Sequence, residues 1–457
     1  MIQYKAISIA GSDSSGGAGI QADLKAFSAL GVYGATVISA LTAQNTKTVS
    51  SLFVVPIEFF EDQLQTTLRD LRPDAIKIGV LFDKSIMRIV NAYLKKYDAP
   101  IIVDPVLISG TGSRLIDEKS FPALKNEIVP LASIITPNRY EAEHLSGIKI
   151  KTKEDLKLAS QKICDIGPKI VIIKGGHFSP NNKKIVDYYY DKERRESFQI
   201  SNPKRDIGET HGTGCNFSSA ITSFIAKGIE PKDSFIMANA FVQKALQHAS
   251  KIGEGVLVSN PLKDVYESAE KYDVISELQK SVNHLYDMPN FVKLIPETKT
   301  NFVYSTLDPN SIDDIAGVSG RISGDNNHIY YPSVVKFGVS KHVARALLAA
   351  RNINRKYRSA INIRNNSEIR RICNKMFICS DYDRKCEPIN IKNTEGYSIG
   401  WGISEAFKFK PGVEIVCHSG DIGKEPMILV FGPTPNAVLK KLKIILKHYK
   451  LGTEHYK

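Results

Sequence analysis

The residues with the plainest chemical potential are five in a row, His211-Gly212-Thr213-Gly214-Cys215, set just ahead of the apolar segment 216–225. This order reads as a glycine-rich loop opening a helix. Such a junction gathers free backbone N–H groups and the positive end of the helix dipole around one point, which suits a phosphate or a developing negative charge. Gly212 and Gly214 let backbone approach a ligand closely, and Cys215 places a thiol beside it. Gly-Thr-Gly also occurs in ordinary helix-entry turns, so the loop alone leaves both readings open. A second loop, residues 11–19, holds four glycines in nine residues, more than one tight turn needs.

Other polar residues stand where strands are expected to end. Asp23 lies in the first turns of the helix after the second loop, where a carboxylate can also simply complement the dipole. Gln44 follows a strand at the edge where parallel α/β sheets bind ligands; its paired donor and acceptor can read a heterocycle or sit solvated in a loop. Asn138 and Glu141, three apart, share a helix face and can hold magnesium through water, with Asp104 at a neighbouring strand end. Lys174, directly after a strand, can neutralise phosphate charge. Each is an ordinary surface residue by itself; their shared placement singles them out.

The elements that must position these groups alternate. Apolar runs at 4–10, 35–40, 75–81, 100–106, 134–136 and 169–174 read as strands, and helical spacing fills 20–30, 57–71, 84–97 and 153–166. A hairpin, 186–190 with 196–200, precedes the opening loop, and helices 216–227 and 231–251 follow it. Alternation of this kind predicts an α/β fold, a mainly parallel sheet with helices on both faces. Residues 253–261 have the Gly, Ser, Asn and Pro content of a boundary. The expected domains are therefore 1–260, a mostly polar linker helix within 261–284, and a second α/β domain over 285–457.

The length of 457 residues fits two or three domains. Of the net charge of +13, residues 281–457 carry 26 Lys+Arg against 16 Asp+Glu, or +10, which leaves +3 for the rest. The basic residues are spread out and no recognition-helix or zinc-finger pattern accompanies them, so small anions are favoured over nucleic acid. No apolar run reaches the roughly 20 residues of a membrane span. The start of the chain reads directly into a strand without a leader, and a cytoplasmic location is expected. The six cysteines form no close CxxC pair, and the loose Cys373, Cys379, Cys386 series is poorly spaced for a metal.

In order and at sensible spacing, Ala10-Gly11-Ser12-Asp13 with residues 16–23, Ala43-Gln44-Asn45, Thr136-Pro137-Asn138 with Glu141, Lys174-Gly175-Gly176-His177 and His211–Cys215 resemble hydroxymethylpyrimidine and phosphomethylpyrimidine kinase over roughly residues 1–260. The resemblance implies a ribokinase-like fold. It also implies MgATP-dependent phosphorylation of 4-amino-5-hydroxymethyl-2-methylpyrimidine, first to the monophosphate and then to the diphosphate. On these positions Gly11, Asp23 and Gln44 would hold the pyrimidine, Lys174 with Gly212, Thr213 and Gly214 the ATP phosphates, and Asp104, Asn138 and Glu141 the magnesium. Cys215 would stand at the catalytic position, where related sugar kinases carry Asp. A thiol at a helix N-terminus has a lowered pKa and can act as a base, or it is a small group that leaves room for a second phosphate.

Further on, residues 315–322, 336–350, Ile361-Asn362-Ile363-Arg364, Trp401-Gly402-Ile403 and 420–426 resemble the archaeal-type thiamine-phosphate synthase domain. That domain expels pyrophosphate from the pyrimidine diphosphate as the thiazole nitrogen attacks, so cations must hold the leaving group. The candidates are Arg321 and His342 as catalytic groups, with Arg345, Arg364 and Lys424 binding substrate. Ser340 is expected to cap the helix carrying His342 and Arg345, and Asp421 either binds magnesium or makes a turn. Two alternatives fit the same residues: a ligand-sensing, non-catalytic second domain, and a pyridoxal kinase, against which Gln44 and Cys215 argue. The expected partners are small-molecule substrates, without nucleic acid or membrane, and the expected assembly is a homodimer or higher homo-oligomer.

Overall fold

The computed structural model describes residues 4–108, 116, 119–175, 184–204, 208, 210–325, 328–330, 334–392, 397–408, 410, 412–420 and 425–454. The chain divides into two compact units, Met1–Val265 and Tyr266–Lys457.

The first unit is built on a nine-stranded sheet. Six strands run parallel in the order Tyr33–Gln44, Lys5–Asp13, Ala75–Ile78, Ile101–Val103, Ile134–Ile135 and Ile170–Ile173. Val49–Val54 pairs antiparallel at one edge, and Lys184–Asp191 with Glu196–Pro203 do so at the other. Every residue of Ile170–Ile173 is buried, as a parallel strand covered on both faces requires. Val171 and Ile173 share one core with helices Ile57–Leu71, Lys84–Leu94, Arg139–Ser146 and Lys153–Cys164, whereas Ile170 and Ile172 share another with Thr213–Ala226 and Pro231–Gln247. Alternation of side chains along the strand thus sorts the helices onto two faces.

This topology sets one edge of polar residues. Asp13 ends its strand, and Asp104 and Lys174 each follow theirs directly. Asn138 is joined by a single parallel bridge to Lys174. The strand Val49–Val54 was not anticipated, because five of its six residues are exposed and leave no alternating pattern. The helix expected at 216 begins at Thr213, inside the glycine loop itself.

The second unit carries a seven-stranded sheet in the order Val335–Phe337, Ile315–Val318, Phe302–Ser305, Ser359–Arg364, Met427–Gly432, Ile415–His418, Cys379–Tyr382. All neighbours are antiparallel except the last pair. Helices Lys263–Tyr286, Ser367–Met376 and Pro435–Glu454 cover one face, and His342–Ile353 with Ser398–Lys408 the other. The helix read as a linker buries Val274, Leu278, Val282 and Leu285 in this core, and the division between the units falls near its start. Among the described residues, no helix is long and apolar enough to cross a membrane.

Candidate active site

In the first unit the two glycine loops lock onto each other. Gly212 caps helix Thr213–Ala226 at φ +84°, where an added Cβ would lie 2.0 Å from the Gly17 carbonyl oxygen. Gly17 has no more room, since its Cβ would fall 2.4 Å from the His211 ring. The first intrahelical bond runs from the Asn216 amide to the Gly212 carbonyl, so the amides of Thr213, Gly214 and Cys215 have no acceptor within the helix. These are the N–H groups an anion would take.

Asp13 fastens the other loop by accepting the amides of Ser15, Gly17 and Ala18, and its Oδ2 lies 3.1 Å from His211 Nε2. Burial acts to raise this carboxyl, but the bonds from His211, Ser15 and Ala18 outweigh it and hold it below the ordinary carboxylate value. Gln44 Nε2 lies 2.8 Å from the same imidazole nitrogen, which places Gln44 at the mouth of the paired loops. Gly11 sits behind them, its carbonyl oxygen 2.3 Å from where a Cβ on Gly19 would stand.

Beneath the helix start lies a chain of buried charges. Asp23 is fully buried, and its carboxylate accepts from Ser8 Oγ at 2.5 Å, Ser219 Oγ at 2.7 Å and Lys77 Nζ. Three protein donors, Lys77 among them, thus meet the carboxylate that was expected to contact the pyrimidine. Burial works against the Lys77 ammonium, yet Asp23, Cys215 and Asp104 raise it above its usual value. At Cys215 burial opposes the acidification that a helix N-terminus favours. Burial pushes the thiol up to about 11, with Asp23 and Asp104 adding to the effect and Lys77 opposing it.

Asp104 is buried, pairs with Lys174 Nζ at 2.7 Å and accepts from Ser218 Oγ at 3.1 Å. A Cβ on Gly214 would lie 3.4 Å from Lys174 Nζ and 3.8 Å from Asp104 Oδ2, so the helix start rests on this pair. Glu141 lies near both: burial lifts its carboxyl to about 7, with Asp104 raising and Lys174 lowering it. Asn138 and Glu141 close a capping box, each accepting the other's amide, at 2.9 and 2.7 Å. Direct coordination of a metal would compete with this cap, but each carboxylate oxygen keeps a second lone pair for a metal-bound water. The predicted residues Gly214, Cys215, Lys174, Asp104, Glu141 and Asp23 thus form one cluster, and Thr213 contributes its amide.

In the second unit Arg321 sits in the left-handed region at φ +67°, and its Nη1 donates to the Thr298 carbonyl at 2.7 Å. Thr298 in turn donates to Glu425, whose carboxyl is held low by these bonds and by Arg364 despite its burial. Arg321 and Arg364 are therefore brought to one rim. His342 opens helix His342–Ile353 with Arg345 on its next turn. The expected Ser340 cap is absent: Lys341 is the cap residue, already helical and without a side-chain bond, while Ser340 is buried with its Cβ against Gly317. Lys424, Asp421 and, in the first unit, Gly176 and His177 lie outside the described residues.

The phosphomethylpyrimidine kinase family matches residues 13–260, and the thiamine-phosphate synthase ThiN family matches residues 277–444. The bifunctional thiamine biosynthesis protein ThiDN of Methanocaldococcus jannaschii is 32% identical over 97% of this chain and 98% of its own. The chain belongs to this family of fused thiamine-biosynthesis enzymes. Its kinase unit is also 41% identical to the hydroxymethylpyrimidine/phosphomethylpyrimidine kinase of Bacillus subtilis, over 55% of this chain and 92% of the relative. Among solved structures, the ADP complex of Bacillus subtilis pyridoxal kinase superposes with a TM-score of 0.52 at 33% identity, covering 58% of this chain and 99% of the other. Staphylococcus aureus pyridoxal kinase in complex with pyridoxal gives 0.52 at 35%, covering 56% and 93%.

Sequence reading of the kinase unit missed Lys77, Ser218 and Ser219. Lys77 reads as one residue of a short strand, and the two serines as part of an ordinary helix. Only a lysine interrupting an otherwise apolar strand, Ala75-Ile76-Lys77-Ile78, could have signalled a buried charge.

Proposed function

We propose that the kinase unit transfers phosphoryl groups from MgATP to 4-amino-5-hydroxymethyl-2-methylpyrimidine and then to its monophosphate, and that the synthase unit joins the diphosphate to thiazole phosphate with release of pyrophosphate. The observation that carries the kinase assignment is the stacking of Gly214 on the Lys174–Asp104 pair. It sets free helix amides, a lysine and carboxylates around one point. Phosphoryl transfer depends mainly on position and charge stabilisation. In this reading the amides of Thr213, Gly214 and Cys215 stabilise the transferred group, and Lys174 meets the ATP phosphates. Asp104, Glu141 and Asn138 hold magnesium through its waters, Gly11 and Gln44 frame the pyrimidine, and Cys215 is a small protonated group. Arg321, Arg364 and His342 hold the departing pyrophosphate. Exposed Leu52 and Phe53 on the edge strand support self-association, and a cytoplasmic homodimer or higher homo-oligomer completes the reading.

The test supplies the pyrimidine alcohol, thiazole phosphate and MgATP to the purified chain; thiamine phosphate is the expected product. Formation of pyrimidine diphosphate alone removes the synthase half, and full turnover after Arg321→Ala with His342→Ala removes these two residues from the catalysis. Cys215→Ser is expected to keep both phosphorylations within about tenfold, or about 1.4 kcal/mol of barrier. A far larger loss would restore the sulfur as a base. The pyridoxal kinase likeness of the solved structures gives the second reading, which prevails if pyridoxal outcompetes the pyrimidine alcohol as acceptor.

A further inference from the structure

One end of the synthase sheet holds a polar cluster that the residues read from the sequence do not explain. Strand register sets Arg364, Met427, His418 and Tyr382 in one row. The Tyr382 and His418 rings stand 5.4 Å apart, and the short helix Arg384–Cys386 adds Arg384 and Glu387. Tyr382, Arg384, Glu387 and His418 are all more than nine-tenths buried, at 7%, 5%, 7% and 2% exposure. Yet Tyr382 Oη, Arg384 Nε, both Glu387 carboxylate oxygens and His418 Nε2 find no hydrogen-bond partner among the described residues. Native folds leave few such atoms unpaired, and five in one place call for a partner from outside.

The chemistry of the set is specific. His418 Nδ1 accepts the Gly420 amide at 3.2 Å, which puts the ring proton on Nε2 and makes that atom a donor. Burial pushes this imidazole down to about 4, with Arg384 and His342 adding to the effect, so it is neutral near pH 7. Arg384 lies 3.7 Å from Glu387, close enough to cancel its charge and too far for a hydrogen bond. The cluster therefore offers two fixed donors, His418 Nε2 and Arg384 Nε, two carboxylate acceptors and a tyrosine hydroxyl, with no net charge. Pyrophosphate, which needs net positive charge, fits poorly. A thiazole ring, whose nitrogen only accepts, would leave Glu387 unmatched. An amino-substituted pyrimidine matches both sides, its amine donating to Glu387 and a ring nitrogen accepting from His418.

We infer that Tyr382, Glu387 and His418 form the subsite of the synthase unit that reads the aminopyrimidine ring. The influence of His342 on His418 places this subsite beside the expected catalytic helix. Gly402, in the Trp401-Gly402-Ile403 motif, has a role here: a Cβ there would meet the Tyr382 ring at 2.2 Å, so glycine lets the ring lie against helix Ser398–Lys408. Trp401 meets the same ring edge-on, with centroids 6.1 Å apart. The inference rests on the synthase reading above.

Its test is steady-state synthase kinetics of the full chain, with the pyrimidine diphosphate and with its analogue lacking the ring amine. Glu387→Gln is expected to raise KM for the pyrimidine diphosphate at least about tenfold while KM for thiazole phosphate stays within about twofold. The preference of the unsubstituted chain for the aminated substrate should largely vanish in the variant. Tyr382→Phe, which removes only the unpaired hydroxyl, should raise the same KM and spare kinase turnover. Unchanged KM and unchanged preference in both variants, with thiamine phosphate still formed, would sink the subsite alone. A chain that forms no thiamine phosphate from either substrate would sink the synthase reading and the subsite together.

Discussion

Glu141 shows how burial and charge meet at the kinase site. Its carboxyl, ordinarily at 4.5, is lifted to about 7 by burial first, by Asp104 next, and is held from rising further by Lys174 and the amides of Asn138 and Leu107. Between these values the folded chain keeps a proton that the unfolded chain has released. Its contribution to stability is therefore fully present below pH 4.5, falls as pH rises to about 7 and is level above. Denaturant unfolding across this window should show that decline in the unsubstituted chain relative to Glu141→Gln, in which the group no longer titrates. Parallel curves for the two proteins would contradict it. The carboxylates and Lys174 were legible as a set because each follows a strand. The buried Lys77 and the burial that raises the Cys215 thiol were not, since desolvation depends on neighbours that lie far away in sequence.

At the level of elements, the start of helix Thr213–Ala226 is fixed by backbone contact. Gly212 must adopt φ +84° and must lack a Cβ, because the Gly17 carbonyl occupies that space. Gly212→Ala is thus expected to shift the helix start and lower kinase turnover on the order of a hundredfold, as misplacement by about an ångström does. Condensation of supplied pyrimidine diphosphate by the same protein should be unaffected. Near-normal kinase turnover would show that the loop amides do not carry the chemistry. The glycine loop was readable from composition, but its helix was expected three residues later, because the apolar pattern begins only after the polar first turn. The exposed edge strand Val49–Val54 escaped for a related reason: edge strands need no buried face to announce them.

In the whole molecule, two cores account for two activities in one chain, and helix Lys263–Tyr286 decides where the second begins. A fragment starting at Tyr266 keeps Val274, Leu278, Val282 and Leu285 and is expected to fold and condense the two phosphates, whereas a fragment starting at residue 285 loses Val274, Leu278 and Val282 from this core layer. Circular dichroism and a synthase assay on both fragments check this; equal stability would show the helix to be a dispensable linker. The α/β alternation, the glycine loops and the two-part family were readable from residue order alone, because periodicity and motif spacing are local properties of the chain. The fold alone brings Asp23 to Lys77, buries the Cys215 thiol so that its pKa rises, and gathers Tyr382, Glu387 and His418 with atoms unpaired among the described residues. Burial and hydrogen-bond satisfaction depend on what distant segments bring together, and a linear pattern does not record them.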